Sequence, residues 1–255
     1  MRKCSGLTTK YLILESLLSV GIALSIGCAR KPGFSGPAQA IKPPRGRPSC
    51  YATRTIGTKF ADPDNLGTHC YECGKHENSG ILYACNAGHI DLAHLRKGAD
   101  WTYFFAQRIL QQFENKRTNF SFKFYEPSEY FVKVEYPENW KTLPDEQKNR
   151  IAREICIRLG QYFAFVGCTW HEIITWFGYR CFELYPEFPS SFSWEDTYSN
   201  LLGTQLGAEA MHQTDYSFDE SMTMLIEQEL DRLGVQSRDT AISASEKMRG
   251  KWFSG

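Results

Sequence analysis

No sign of charge dominates this chain. Its 255 residues carry 29 Lys and Arg against 29 Asp and Glu, so no basic excess provides the electrostatic footprint of a nucleic-acid binder. No apolar run reaches the roughly 20 residues that a membrane helix needs, because the stretch from Leu17 to Gly27 is too short and Glu15 interrupts the wider one. CxxC occurs once, at Cys70 and Cys73, with no second copy to complete a paired zinc knuckle. Beyond Cys4 and Cys28 an odd set of seven cysteines remains, which cannot all pair within one molecule.

What is present starts with Arg2, Lys3 and Lys10 as a basic head before the short apolar run, the pattern of an export signal. The run closes on Leu24-Ser25-Ile26-Gly27-Cys28, which resembles the lipobox of bacterial lipoproteins, although Ser25 stands where a larger aliphatic residue is usual. That resemblance implies a signal peptide over residues 1–27 and a lipidated mature N-terminus at Cys28, with the membrane as partner. Ala29, rather than Asp, after the cysteine then favours the outer membrane. The Pro- and Gly-rich residues 28–49 read as a flexible tether. Residues 50–255 form the expected single globular domain, long enough to bury a real core.

Periodicity places a helix-rich α+β fold on that domain. Gly80 to Ala84 reads as a short buried strand; from Asp91 onward Leu92, Leu95, Trp101, Phe105 and Ile109 recur at helical spacing. Phe120 to Phe124 and Tyr130 to Glu135 alternate as a hairpin. Pro144 opens a helix expected to end at Gly167, and a further helix carries His171 and Glu172. Ser193 with Asp196 reads as a capping box, and Ser217 opens a helix through Leu233 whose methionines belong to its core stripe.

Two polar clusters stand inside this apolar sequence: Gly88-His89-Ile90-Asp91-Leu92-Ala93-His94 with Asp100, and Trp170-His171-Glu172 through Tyr179. Titratable groups among buried aromatics are paired, bound to something or used in chemistry. Asp91 and His94 share a helix face at i,i+3, able to share a metal or proton, while helix capping and a satisfied core histidine explain them equally well. His171-Glu172 is half of the zinc-peptidase motif in which two histidines one turn apart hold the metal and the glutamate activates water. Thr175 stands at the place of the second histidine. The missing ligands then come from Asp91 and His94, or from Cys168; the first is preferred. Glu195 is a further carboxylate ligand, and Asp100, Asp196 and Asn200 orient the ligands from behind. A separate structural zinc on Cys70, Cys73, His76 and Cys85 competes with a disulfide or idle thiols.

These motifs also resemble, in order, those of an uncharacterised bacterial lipoprotein family, domain of unknown function 4056. The resemblance rests on Ala61-Asp62-Pro63-Asp64-Asn65-Leu66-Gly67, the Gly88–His94 and Ala99–Thr102 motifs, Trp170-His171-Glu172 through Gly178, and Glu195 to Gly203. It implies that Asp91, His94, His171, Glu172 and Asn200 belong to a shared pattern, whereas His89 and the CxxC are local to this chain. It implies an envelope location and no reaction.

Two functions are therefore expected. One is a zinc-dependent hydrolase with His94, His171, Asp91 and Glu195 on the ion and Glu172 as general base. The other is a non-enzymatic periplasmic lipoprotein that binds a glycan, peptide or partner protein, its clusters forming a buried hydrogen-bond network.

Overall fold

Asp91 ends a strand and starts a helix. Strands β1 (Ile81–Ala84) and β2 (Gly88–Asp91) pair antiparallel, with Ile81 opposite Asp91 and Ala84 opposite Gly88. The Asp91 Oδ1 then accepts the Ala93 N–H at 2.7 Å and caps α1 (Leu92–Glu114), satisfying one of the free donors at a helix start. The computed structural model in which this is seen describes residues 34, 37–47, 58–74, 76–123, 128–181, 185–186, 188, 191–193, 195–249 and 251. The expected signal peptide and lipidation site Cys28 lie outside the described residues.

Helix α1 is the centre of the molecule. Its Leu92, Leu95, Ala99, Phe105 and Ile109 are fully buried and it packs against both α2 (Asp145–Trp176) and α3 (Asp196–His212). Glycines let the backbones nearly touch. A Cβ on Gly160 of α2 would stand 2.6 Å from the Thr102 carbonyl of α1, and one on Gly98 of α1 would stand 2.6 Å from the Asn200 carbonyl of α3. Gly203 of α3 lies against the Leu95 carbonyl still more closely.

Around this trio stand smaller elements. Strands β3 (Asn119–Lys123) and β4 (Glu129–Lys133) form the expected hairpin, whose Phe122 and Tyr130 rings each pack 5.6 Å from Phe163 of α2. Arg180–Cys181 (β5) pairs with Tyr185–Pro186 (β6), and α4 (Phe218–Arg232) opens with a complete Ser217–Glu220 capping box before α5 (Arg238–Met248). Among the described residues this is a helix-rich α+β domain with three two-stranded antiparallel pairs. None of these helices is long and apolar enough to cross a membrane.

Three expectations need correction. Residues 145–176 are one helix, not two: Gly167 inside it costs about 1 kcal/mol, less than burial of the neighbouring Phe163, Ala164 and Cys168 returns. The helix stops at Gly178, at φ +93, where Gly178 N–H donates to the Thr175 carbonyl and Tyr179 N–H to that of Ile174. Ser193 is not the N-cap of α3; Glu195 is, with no side-chain cap bond. The stretch 37–47, read as tether, packs along α1 and its neighbours. Ala38 and Gln39 N–H groups donate to Glu114 and Gln107, and Tyr71 Oη donates to the Lys42 carbonyl. Of the alternatives for the CxxC region, the disulfide one holds for Cys85, which is disulfide-bonded and offers no thiolate to a zinc.

Candidate functional site

Where the start of α1, the last turns of α2 and the start of α3 meet, six titratable side chains are buried together. They are Asp91, His94, His171, Glu172, Glu195 and Asp196, each no more than 9% exposed. His94 Nδ1 lies 3.4 Å from Asp91 Oδ2 and in short contact with Asp196 Oδ1. Burial alone would lower the His94 pKa, but the Asp196 carboxylate overrides it and, with Asp91, raises it to about 9. Asp196 is held below the usual carboxylate range by His94 against the opposing effect of burial.

The two glutamates go the other way. Burial, then the Asp196 and Asp91 charges, pushes Glu195 up to about 8. Glu172 is raised by burial and Asp196, with the Phe192 N–H, His171 and His94 pulling against them. Neighbouring carboxylates with opposed shifts are the arrangement that separates an acid from a base at neutral pH. The hydrogen bonds agree with this. Ser193 Oγ is 2.9 Å from Glu195 Oε1 and 2.5 Å from Asp196 Oδ2; one hydroxyl proton cannot serve both. A protonated Glu195 resolves the conflict, its O–H donating to Ser193 while the Ser193 proton goes to Asp196. Glu195 Oε2 is buried without a hydrogen-bond partner among the described residues, as is Asn200 Oδ1 one turn along α3.

A three-residue strap closes the cluster. Ser191 Oγ donates to Thr175 Oγ1 at 2.9 Å, Phe192 N–H donates to Glu172 Oε2 at 2.8 Å, and Ser193 bridges Glu195 and Asp196. Phe192 holds a left-handed backbone, φ +53, which costs a residue with a side chain about 1–2 kcal/mol. Thr175, at the place of the peptidase histidine, points its hydroxyl back to the His171 carbonyl. Ser191 and Phe192 carried no motif in the sequence, and the loop's role shows only once α2 and α3 are side by side.

Asp100 does not join them. Nine residues beyond Asp91, at 100° per residue, it faces the opposite side of α1. There it accepts from Arg47 Nε at 2.8 Å and stands 3.0 Å from His69 Nε2. Arg47 also pairs with Glu77, which accepts from the Cys70 N–H. This second buried ion network was not anticipated. Its only sequence signals were Asp100 and His69, whose partners lie in the supposed tether and the CxxC loop.

His89 stays outside both clusters. Its Nε2 is 3.2 Å from the Ala241 carbonyl and its ring packs on Tyr83 at 5.0 Å, and burial lowers its pKa to about 4. A histidine whose folded pKa lies below its unfolded value near 6.5 lets the unfolded chain bind the proton first. Stability is therefore expected to fall as pH drops from about 6.5 to about 4. His89→Phe should flatten that part of the curve, measured as urea midpoint against pH; an unchanged slope would remove His89 as its source.

Fold and site together define a helix-rich α+β domain built around a buried carboxylate–imidazole centre. The model of one family, proteins of unknown function designated DUF4056, matches residues 54–255, and the chain belongs to that family. Neither a curated protein nor a solved structure matches it.

Proposed function

We propose that this centre is hydrolytic, with Glu172 as general base and Asp91, His94, His171 and Glu195 as holders of a divalent cation. One observation carries the reading: four carboxylates face only two imidazoles in a buried site, and one carboxylate oxygen, Glu195 Oε2, has no hydrogen-bond partner among the described residues. Burying so many carboxylates is costly unless protons, as on Glu195 and His94, or a bound cation offsets them, and a cation would take the place of the Glu195 proton. Oxygen and imidazole donors together suit zinc. Bound there, the ion would lower the pKa of a water molecule. Glu172, raised above the usual carboxylate range by burial and Asp196, is suited to take that proton. The enzyme would act from a lipid anchor at Cys28 on the periplasmic side of the outer membrane, with no nucleic-acid partner.

A second reading has its own support. Among the described residues no three His, Cys, Asp or Glu side chains converge in metal-holding geometry, and His94 is turned onto Asp196. A cation would have to draw His94 away. The alternative is a periplasmic binding protein for a glycan, peptide or partner, its cluster specifying how the three helices pack.

Metal analysis of protein purified without chelator separates the two. About one zinc per chain is expected, retained in Glu172→Gln while turnover falls by roughly 10²–10⁴. Metal lost together with turnover would contradict the base role, and metal-free wild-type protein would leave only the binding reading.

A further inference from the structure

Just outside the buried cluster the surface turns aromatic. Trp176, at the end of α2, is 51% exposed and Phe177 is 84% exposed. The Trp176 ring centroid lies 5.3 Å from that of Phe188 and 6.3 Å from that of Phe192, both about half exposed. Within residues 170–192 every exposed large apolar side chain among the described residues is aromatic. A surface made for an acyl chain or an apolar peptide mixes rings with fully exposed Leu, Ile and Met; among the described residues here Ile173 and Ile174 are only partly exposed.

The rings are also interleaved with hydrogen-bonding groups. Phe192 lies between Ser191, bonded to Thr175, and Ser193, bonded to Glu195 and Asp196, and its own N–H donates to Glu172. A ligand on these rings thus meets flat π faces beside the part-exposed Ser191 and Ser193, with the carboxylates buried behind them. That is the chemistry of a pyranose, whose C–H face is apolar and packs on the negative face of an aromatic ring, while its hydroxyl edge needs donors and acceptors. We propose that the Trp176–Phe188–Phe192 rim seats the sugar rings of a glycan, which makes a carbohydrate the substrate class of the adjoining centre. The substrate assignment rests on the hydrolytic reading above; the binding assignment does not.

The test is calorimetry on the full-length lipoprotein in detergent, with chelator present so that nothing turns over. Tetrasaccharides of glucose, galactose and N-acetylglucosamine are the probes, beside an aromatic-rich peptide. At least one saccharide is expected to bind, and Trp176→Ala and Phe188→Ala each to weaken it about tenfold with unchanged circular dichroism, the loss of one ring contact of about 1.4 kcal/mol. No heat with any saccharide, capture of the peptide alone, or affinity indifferent to both substitutions would overturn the proposal. A saccharide that binds and, with zinc restored, is not cut would uphold the rim as a glycan site and remove the hydrolase reading.

Discussion

Gly203→Val should lower thermal stability by more than about 3 kcal/mol, a drop of roughly 10 °C for a domain of this size. The added side chain would enter the Leu95 carbonyl of α1, a backbone atom that cannot swing aside as a side-chain end would. Relief requires the two helices to part, and α3 carries Glu195 and Asp196 while α1 carries Asp91 and His94 at that crossing. The same separation should therefore release His94 from Asp196. Gly178→Ala is the control: nothing stands within 4 Å of its Cβ, so only its left-handed backbone is strained and the loss should be about 1–2 kcal/mol. Melting curves followed by circular dichroism compare the two directly. Equal losses would mean that backbone conformation, not the close crossing, governs both glycines.

Arg47→Met should cost about 3–5 kcal/mol, because it leaves Asp100 buried without its guanidinium and Glu77 with Arg45 alone. Adding Asp100→Asn and Glu77→Gln removes the under-compensated charges and should recover much of the loss. The coupling appears in denaturant midpoints, and simple additivity of the three substitutions would refute a joined network. This pair of experiments also checks the fold where sequence reasoning was weakest.

The elements that the sequence announced are those whose pattern is local. Asp91 beside a 3.6-residue apolar rhythm marks the start of α1, and Ser217 with Glu220 marks that of α4; both caps form. The candidate site was legible for a related reason: His94, His171, Glu172 and Glu195 are conspicuous among apolar neighbours, and all four are buried where α1, α2 and α3 cross. What escaped depended on distance along the chain. Arg47 finds Asp100 53 residues away, and no local period encodes that meeting. Asp100 stands nine residues from Asp91, half a helical revolution away, so it reaches Arg47 and not the site. Gly167 looked like a stop because its local cost is visible in sequence, whereas the burial that outweighs it is not.

The packing of residues 37–47 along α1 also sets a radius of action. If Cys28 is the anchored residue, only six links of chain separate it from Phe34, which is buried and accepts from Arg153, and fully extended they would span about 20 Å. A free leash through residue 49 would more than double that contour. The enzyme proposed here would thus patrol a thin shell next to its own membrane, and what it acts on must come within that shell.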